Sequence, residues 1–538
     1  MKLDRLNEYV LITTVMAVGI LLAIFCGRLA GTGDQMHIVL YAAAAVAIIV
    51  CLWLRTKIWL LIPTFWVMSG QMNSLPGHLP VRDLVIGGVV LFFLSLKAFK
   101  MIRVRPVVRF LDIFMWINVL YLVTVFLRRP VGVHAFGTEL VGGRPYLEVI
   151  FAVMGYWVLN QVIMTPFQSI LLPVLFSGVG FFIAFLSTLA FFFPFLTPII
   201  GGLYSGISAQ SYLAQQNGPS GNADDQADTR MQFLQDVASS IFNLLCSFLS
   251  PLLFFNPLYT LHWKRFPLIY IRPFTIACIA FYFCLKSGHR TTIPVMLFTL
   301  YAAAYFRKGI AGIVFMAVAT LPPLVILVAL QGNLYQLPET AQRTLCFLPG
   351  KWNQNVLLEA KGSSDWRFQM WDIVLHEEKY IHNKTFGDGF GFTERELEDM
   401  AAVGSQEDFM IIGDVHSGPV SAIHVVGFVG LALFIILRII CCYRAWKLIR
   451  ASQGTPFFPY SLFVGIPTLY GSIGFVFIFG DYKNDFPGTI MTIAFLNLCS
   501  NGLVAYHKAL NAPAPLIMPK PPVIPHAPIP IPAAALER

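Results

Sequence analysis

Long apolar runs, each near the length a helix needs to cross a bilayer, dominate this chain. Fourteen can be marked: 9–27, 37–54, 57–74, 80–99, 109–127, 146–164, 168–190, 236–258, 267–286, 291–306, 309–331, 421–440, 458–479 and 489–507. A helical span needs ~20 predominantly apolar residues. Within a bilayer the backbone must satisfy its own polar groups, which leaves helices or a closed barrel. These runs are continuous rather than alternating, so they read as helices. Composition agrees: 57% of the 538 residues are hydrophobic and only 12% are charged, where a soluble domain carries about 25%. The expected fold is an all-α polytopic membrane protein. It has about 14 transmembrane helices (12–14) and a large external loop containing short helices.

The net charge of +9 does not point to nucleic acid. The basic residues cluster in short segments between apolar runs: "KAFKMIRVRPVVR" (97–109), "HWKRF" (262–266), Arg307 with Lys308, and 438–450. Alternation through fourteen spans from a cytoplasmic N-terminus brings all of these inside, as the positive-inside rule requires. The same alternation leaves outside a loop near 128–145, a Gly/Ser/Asp-rich loop near 197–235, and the long segment 331–420. The expected organisation is a block of spans over 1–330, an external loop over 331–420, further spans over 421–507, and a proline-rich cytoplasmic tail over 508–538. "AAALER" at the end of that tail reads as appended sequence. The first apolar run lacks a small-residue cleavage site and is expected to be retained as a helix. Nine cysteines lie scattered, with no CxxC and no disulfide framework.

The external segment carries fourteen Asp/Glu against seven Lys/Arg, so the placement of its cations is informative. "SSDWRFQMWDIVLHEEKY" (363–380) predicts an amphipathic helix. Ser363 or Ser364 is its expected cap, and Asp365 complements the dipole. Arg367 and Trp371, four apart, share a face, and Phe368, Trp371 and Leu375 are expected to pack downward. "FGDGFGF" (386–392) follows. Its alternating Gly387, Gly389 and Gly391 permit a tight turn and a close backbone approach to a ligand. "DVHSG" then leads into the next span, with His416 at its mouth. Singly, each piece has a plain reading: a turn, a surface arginine, a solvated histidine.

The order of these pieces carries more. Arg-x-x-x-Trp on a helix, Gly-x-Gly-x-Gly, a His just before a span, and Gly427 and Gly430 inside that span resemble the O-antigen ligase and Wzy-type polysaccharide polymerase superfamily of polytopic glycosyltransferases. The specific part covers about 365–434. "KSGHRTTIPVMLFTLYAAAYFRKG" (286–309) is similar to that family's Arg-opened span, though Ser287 stands three residues before Arg290 rather than beside it. "GGRPYLEVI" (142–150) is a looser match, placing Arg144 at an outer helix mouth. Ser417 stands where Asn is the more usual neighbour of the histidine.

The resemblance implies an inverting, metal-independent enzyme of the bacterial inner membrane whose active site faces the periplasm. Its donor is an oligosaccharide linked through diphosphate to a polyprenyl lipid, and its acceptor is a glycan or glycolipid. The partners are those substrates and membrane lipids, with no nucleic acid and no cofactor. His416 is the implied general base, and imidazole is largely neutral at pH 7. Arg290, Arg367 and Arg144 are the implied diphosphate ligands, because guanidinium binds phosphate oxygens bidentately. Gly387 and Gly389 are implied to approach substrate closely. Trp371 either stacks on sugar or packs the loop helix, with packing favoured. No HExxH or DxD suggests a metal site. A polymerase is favoured over a ligase that transfers to lipid A-core. A lipid-linked saccharide flippase is the rival of a different class, and it calls for charged or broken helices near the midplane.

Overall fold

The computed structural model describes residues 50, 53–71, 80–100, 109–130, 143–196, 223–252, 266–391, 410 and 415–511. The two N-terminal spans, most of the loop near 128–145, residues 201–222, the acidic stretch "ERELEDM" and the proline-rich tail therefore lie outside the described residues.

Every named element is helical. A short 3₁₀ turn, Arg55–Leu60, leads into α1 (Leu61–Phe65). Next come α2 (Val81–Ala98), α3 (Phe110–Arg128), α4 (Arg144–Leu159), α5 (Pro166–Phe192), α6 (Ala223–Leu252), α7 (Phe266–Lys286), α8 (Thr292–Lys308) and α9 (Ile310–Leu330). The external segment contributes α10 (Glu339–Leu345) and α11 (Gln354–His376). The chain closes with α12 (Gly418–Ser452), α13 (Phe458–Phe477) and α14 (Tyr482–Leu510).

Six of these helices, α3, α5, α9, α12, α13 and α14, are long and apolar enough to cross a membrane. That fits a polytopic membrane protein; the six are counted among the described residues, and the runs at 9–27 and 37–54 lie almost wholly outside these. The run at 57–74 does not continue as one helix: α1 stops at Phe65 after five residues. α2 carries Arg82, Asp83 and Lys97 in 18 residues. α4 and α8 have 16 and 17 residues. Burial separates the six: 61% of the apolar window of α14 is buried, against 6% for α9, whose surface is free for lipid. α12 packs on α13, α3 and α14, and their shared core includes Phe434, Phe475, Tyr482 and Phe486.

Local signals explain several boundaries. Thr165 and Gln168 form a capping box, with Pro166 opening α5. Asp481 caps α14 by accepting the Lys483 N–H at 3.1 Å.

Three expectations are corrected. Residues 223–235, expected in an external loop, belong to α6. α11 starts about ten residues earlier than "SSDW" suggests. Its cap is Asn353, and Ser363 and Ser364 are interior. Ser364 instead donates back to the Ala360 carbonyl at 3.1 Å. The segment 438–450, expected as a basic loop, is helix, because α12 runs unbroken in sequence to Ser452. The apolar face continues between the basic residues there, with Cys441, Ala445, Leu448 and Ile449 all buried, so the helix has no reason to stop.

Candidate functional site

Two devices position the site. The first is a discontinuity in α12. Gly427 has φ 68° and ψ −177°, far from helical. In a regular helix the carbonyls of residues 424 and 425 would receive the N–H groups of residues 428 and 429. Here the glycine-rich turn intervenes. Asp388 N–H and Gly389 N–H donate to the carbonyls of His424 and Val425, both at 2.9 Å. Phe428 N–H and Val429 N–H donate to the carbonyls of Lys384 and Thr385 at 2.8 and 3.2 Å. The turn is spliced into the helix ladder. The approach is so close that a Cβ on Gly387 would stand 2.3 Å from the Val425 carbonyl oxygen. Gly387 (φ 81°) and Gly389 (φ 86°) also hold left-handed conformations.

Further contacts clamp the same turn. Arg128 donates to the Phe386 carbonyl (3.0 Å) and Arg129 to the Asp388 carbonyl (3.2 Å). The Tyr121 hydroxyl donates to the Val426 carbonyl (2.8 Å), and Phe390 N–H donates to the Tyr146 hydroxyl (3.0 Å). The Asp388 carboxylate accepts the N–H groups of His382 and Asn383. The close approach expected of Gly387 and Gly389 is thus made to the protein's own backbone.

The second device fixes His416. This residue has φ 51°, a rare left-handed conformation for a side chain other than glycine. The indole N–H of Trp371 donates to the carbonyl of the preceding Val415 at 2.7 Å. Trp371 and Leu375 pack with Met370, Val374, Val415 and Ile423. Phe368 is 64% exposed and meets the cluster only by an edge contact with Trp371. On its other flank the His416 ring lies 5.2 Å from the Phe479 ring. The turn carrying Phe479 is held by Ser421, whose hydroxyl donates to the Asp481 carboxylate (2.9 Å) and accepts from Tyr482 N–H (3.1 Å).

Phe479 faces a cavity of about 1160 Å³ between α6, α8, α10, α11, α13 and α14. Arg290 and Arg367, distant in sequence, both line it, together with His289 and Arg343. Arg290 donates to the Ala360 carbonyl of α11 at 3.0 Å. Burial, and then the like charge of Arg290, press the Arg367 guanidinium below its usual basicity. Such crowding of two cations is stable where an anion relieves it. Arg343 is held by Glu359 at 2.6 Å, both about half-exposed.

Among the sequence-predicted residues, then, Arg290 and Arg367 meet in one cavity. His416 is not among the residues that line it, but its ring packs against Phe479, which is, and Trp371 supports the histidine's turn. Arg144 stands elsewhere. It is 1% exposed and close enough to Asp83 for their charges to interact, beside the Arg82–Glu148 ion pair (2.6 Å). Gly387 and Gly389 do not line the cavity. Sequence reading missed Phe479, Arg343, Asp481, and the ion pair of Arg438 with Asp485 at the cavity's far end. For Asp481 and the Arg438–Asp485 pair the available signal was charge flanking or entering apolar runs, a pointer to function in membrane segments.

The chain matches no protein-family model, and a search of curated proteins finds no match.

Proposed function

We propose that this chain is an inverting, metal-independent glycosyltransferase of a bacterial inner membrane, working at its periplasmic face on a polyprenyl-diphosphate-linked oligosaccharide. The observation that carries the reading is the convergence of Arg290 and Arg367 on one cavity beside the ring that His416 packs against. An acceptor glycan hydroxyl attacks the anomeric carbon. The new C–O bond forms as the bond to the lipid diphosphate breaks, and the hydroxyl proton passes to His416. Arg290 and Arg367 take up the charge of the departing diphosphate. Trp371 keeps the histidine turn in place, and Arg144 lies outside the cavity lining. The favoured version is a Wzy-type polymerase, whose acceptor is a second lipid-linked repeat. The fuller topology of about fourteen spans belongs to this reading.

The test is incubation of the purified protein with a defined polyprenyl-diphosphate oligosaccharide. A ladder of products identifies a polymerase, and a single addition to a separate acceptor identifies a ligase. His416→Ala is expected to lower the rate about 10²–10⁴-fold, the usual worth of a general base, and near-normal turnover would remove the histidine from the mechanism. Lysine at position 290 or 367 is expected to restore only part of the activity lost with alanine, because it cannot bind bidentately. Activity is expected to persist in EDTA.

A second reading, lipid-linked saccharide transport, is favoured by the discontinuous α12 and by the Arg438–Asp485 pair inside apolar helices. It requires movement of the saccharide across sealed vesicles with no change in its length.

A further inference from the structure

The cavity has a chemically distinct far end. Its mouth carries Arg290 and Arg367, with His289 and the Arg343–Glu359 ion pair alongside. Its floor, set between α12, α13 and α14, is densely polar, with Asp481 at its edge. Arg438 and Asp485 pair there, with side chains 13% and 29% exposed. The Arg438 guanidinium lies 5.0 Å from the ring centres of both Phe434 and Phe475, and its Nε is buried without a hydrogen-bond partner. Asp485 also accepts the Asp481 N–H at 3.1 Å.

Four hydroxyls complete this floor, and they share one geometry. Thr468 donates to the Val464 carbonyl (2.7 Å), Ser472 to Thr468 (2.9 Å), Thr489 to Asp485 (2.6 Å) and Thr492 to Gly488 (2.9 Å). With each proton committed to its own helix, each oxygen keeps acceptor capacity. Gly471, Gly474 and Gly488 also line the cavity, and a Cβ on Gly488 would meet nothing within 4 Å. The floor has room as well as polarity.

These features exclude most occupants. An isoprenoid chain would strip water from an ion pair and four hydroxyls without replacing its hydrogen bonds. A second anion would meet Asp485 and acceptor oxygens. A cation would meet Arg438. A neutral group rich in hydroxyls suits all of them, because each hydroxyl both donates and accepts. The geometry points to a saccharide subsite in the floor: the sugar of the ligand, and not its lipid chain, occupies the space lined by Arg438, Asp485, Ser472, Thr489 and Thr492. The volume of about 1160 Å³ exceeds the roughly 300–1,000 Å³ of ordinary small-molecule sites, leaving room for sugar beyond an anionic head. This assignment rests on the reading of the mouth as the diphosphate end.

Calorimetric titration of the purified full chain in detergent separates the two ends. Farnesyl diphosphate, which has no sugar, probes the mouth. A panel of glucose, galactose, mannose, rhamnose, N-acetylglucosamine and their common disaccharides probes the floor. At least one saccharide is expected to bind in the millimolar range. Gly488→Leu, which fills open space, is expected to weaken that binding about tenfold or more, as is the near-isosteric Thr492→Val to a smaller degree. Arg367→Ala is expected to weaken farnesyl diphosphate binding and leave the saccharide's affinity in place. Loss of farnesyl diphosphate binding in Gly488→Leu would put the prenyl chain in the floor and overturn the assignment, as would failure of every saccharide to bind. Saccharide binding to a wild type that ignores farnesyl diphosphate would sustain the floor subsite and overturn the diphosphate reading of the mouth.

Discussion

His416 combines the proposed base with an unusual backbone. At φ 51° only glycine, and to a lesser degree asparagine or aspartate, sits without appreciable strain. His416→Asn is therefore expected to keep the wild-type melting temperature while losing transfer, which separates chemistry from folding. His416→Val is expected to cost about 1–2 kcal/mol of stability, read from thermal unfolding in detergent. Trp371 acts on the same turn through its hydrogen bond to Val415. Trp371→Phe keeps the packing and removes the donor, so the rate is expected to fall with little change in substrate KM. At this scale Arg290 and Arg367 were legible as neighbours in one cavity, because motif order groups them. Phe479 and Arg343 were not. Their relevance comes from contacts across the fold, and neither sits in a local pattern.

Among the elements, the interrupted α12 is the most exacting. A Cβ on Gly427 would lie 2.3 Å from the Thr385 carbonyl oxygen, and one on Gly387 would lie 2.3 Å from that of Val425. Backbone cannot yield as a flexible side chain can, and both sites also need positive φ. Gly427→Ala and Gly387→Ala are each expected to destabilise by more than about 3 kcal/mol, in the severe tail of point mutations. Gly178, exposed in α5 with nothing within 4 Å, is the control: Gly178→Ala is expected to be neutral or to stabilise by up to about 1 kcal/mol. The alternating glycines announced a close backbone approach in the sequence. They could not announce its partner, which lies forty residues later in the chain. Likewise nothing in their local sequence marks Arg128 and Arg129 as the residues that clamp this turn.

Across the whole molecule, hydropathy located the described helices well, since apolar length is a local property. It judged their ends poorly where charge enters a helix. Read from sequence alone, Arg438 marks the start of a loop and ends α12 too early, whereas the fold matches its charge with Asp485 from α14. Removing one partner of such a pair is strongly destabilising, while replacing both is much milder. Arg438→Met alone is expected to cost about 3–5 kcal/mol in thermal unfolding, and the double change Arg438→Met with Asp485→Met substantially less. A double variant as unstable as the single one would show that Arg438 has a further structural partner.

The splice between the glycine turn and α12 also bears on biogenesis. Until residues 384–389 dock, the peptide groups flanking Gly427 can pair only along a regular helix, which a glycine permits. The segment 418–452, apolar enough to cross a bilayer, is therefore expected to enter as a regular helix and to take up its kink only when the turn made before it docks.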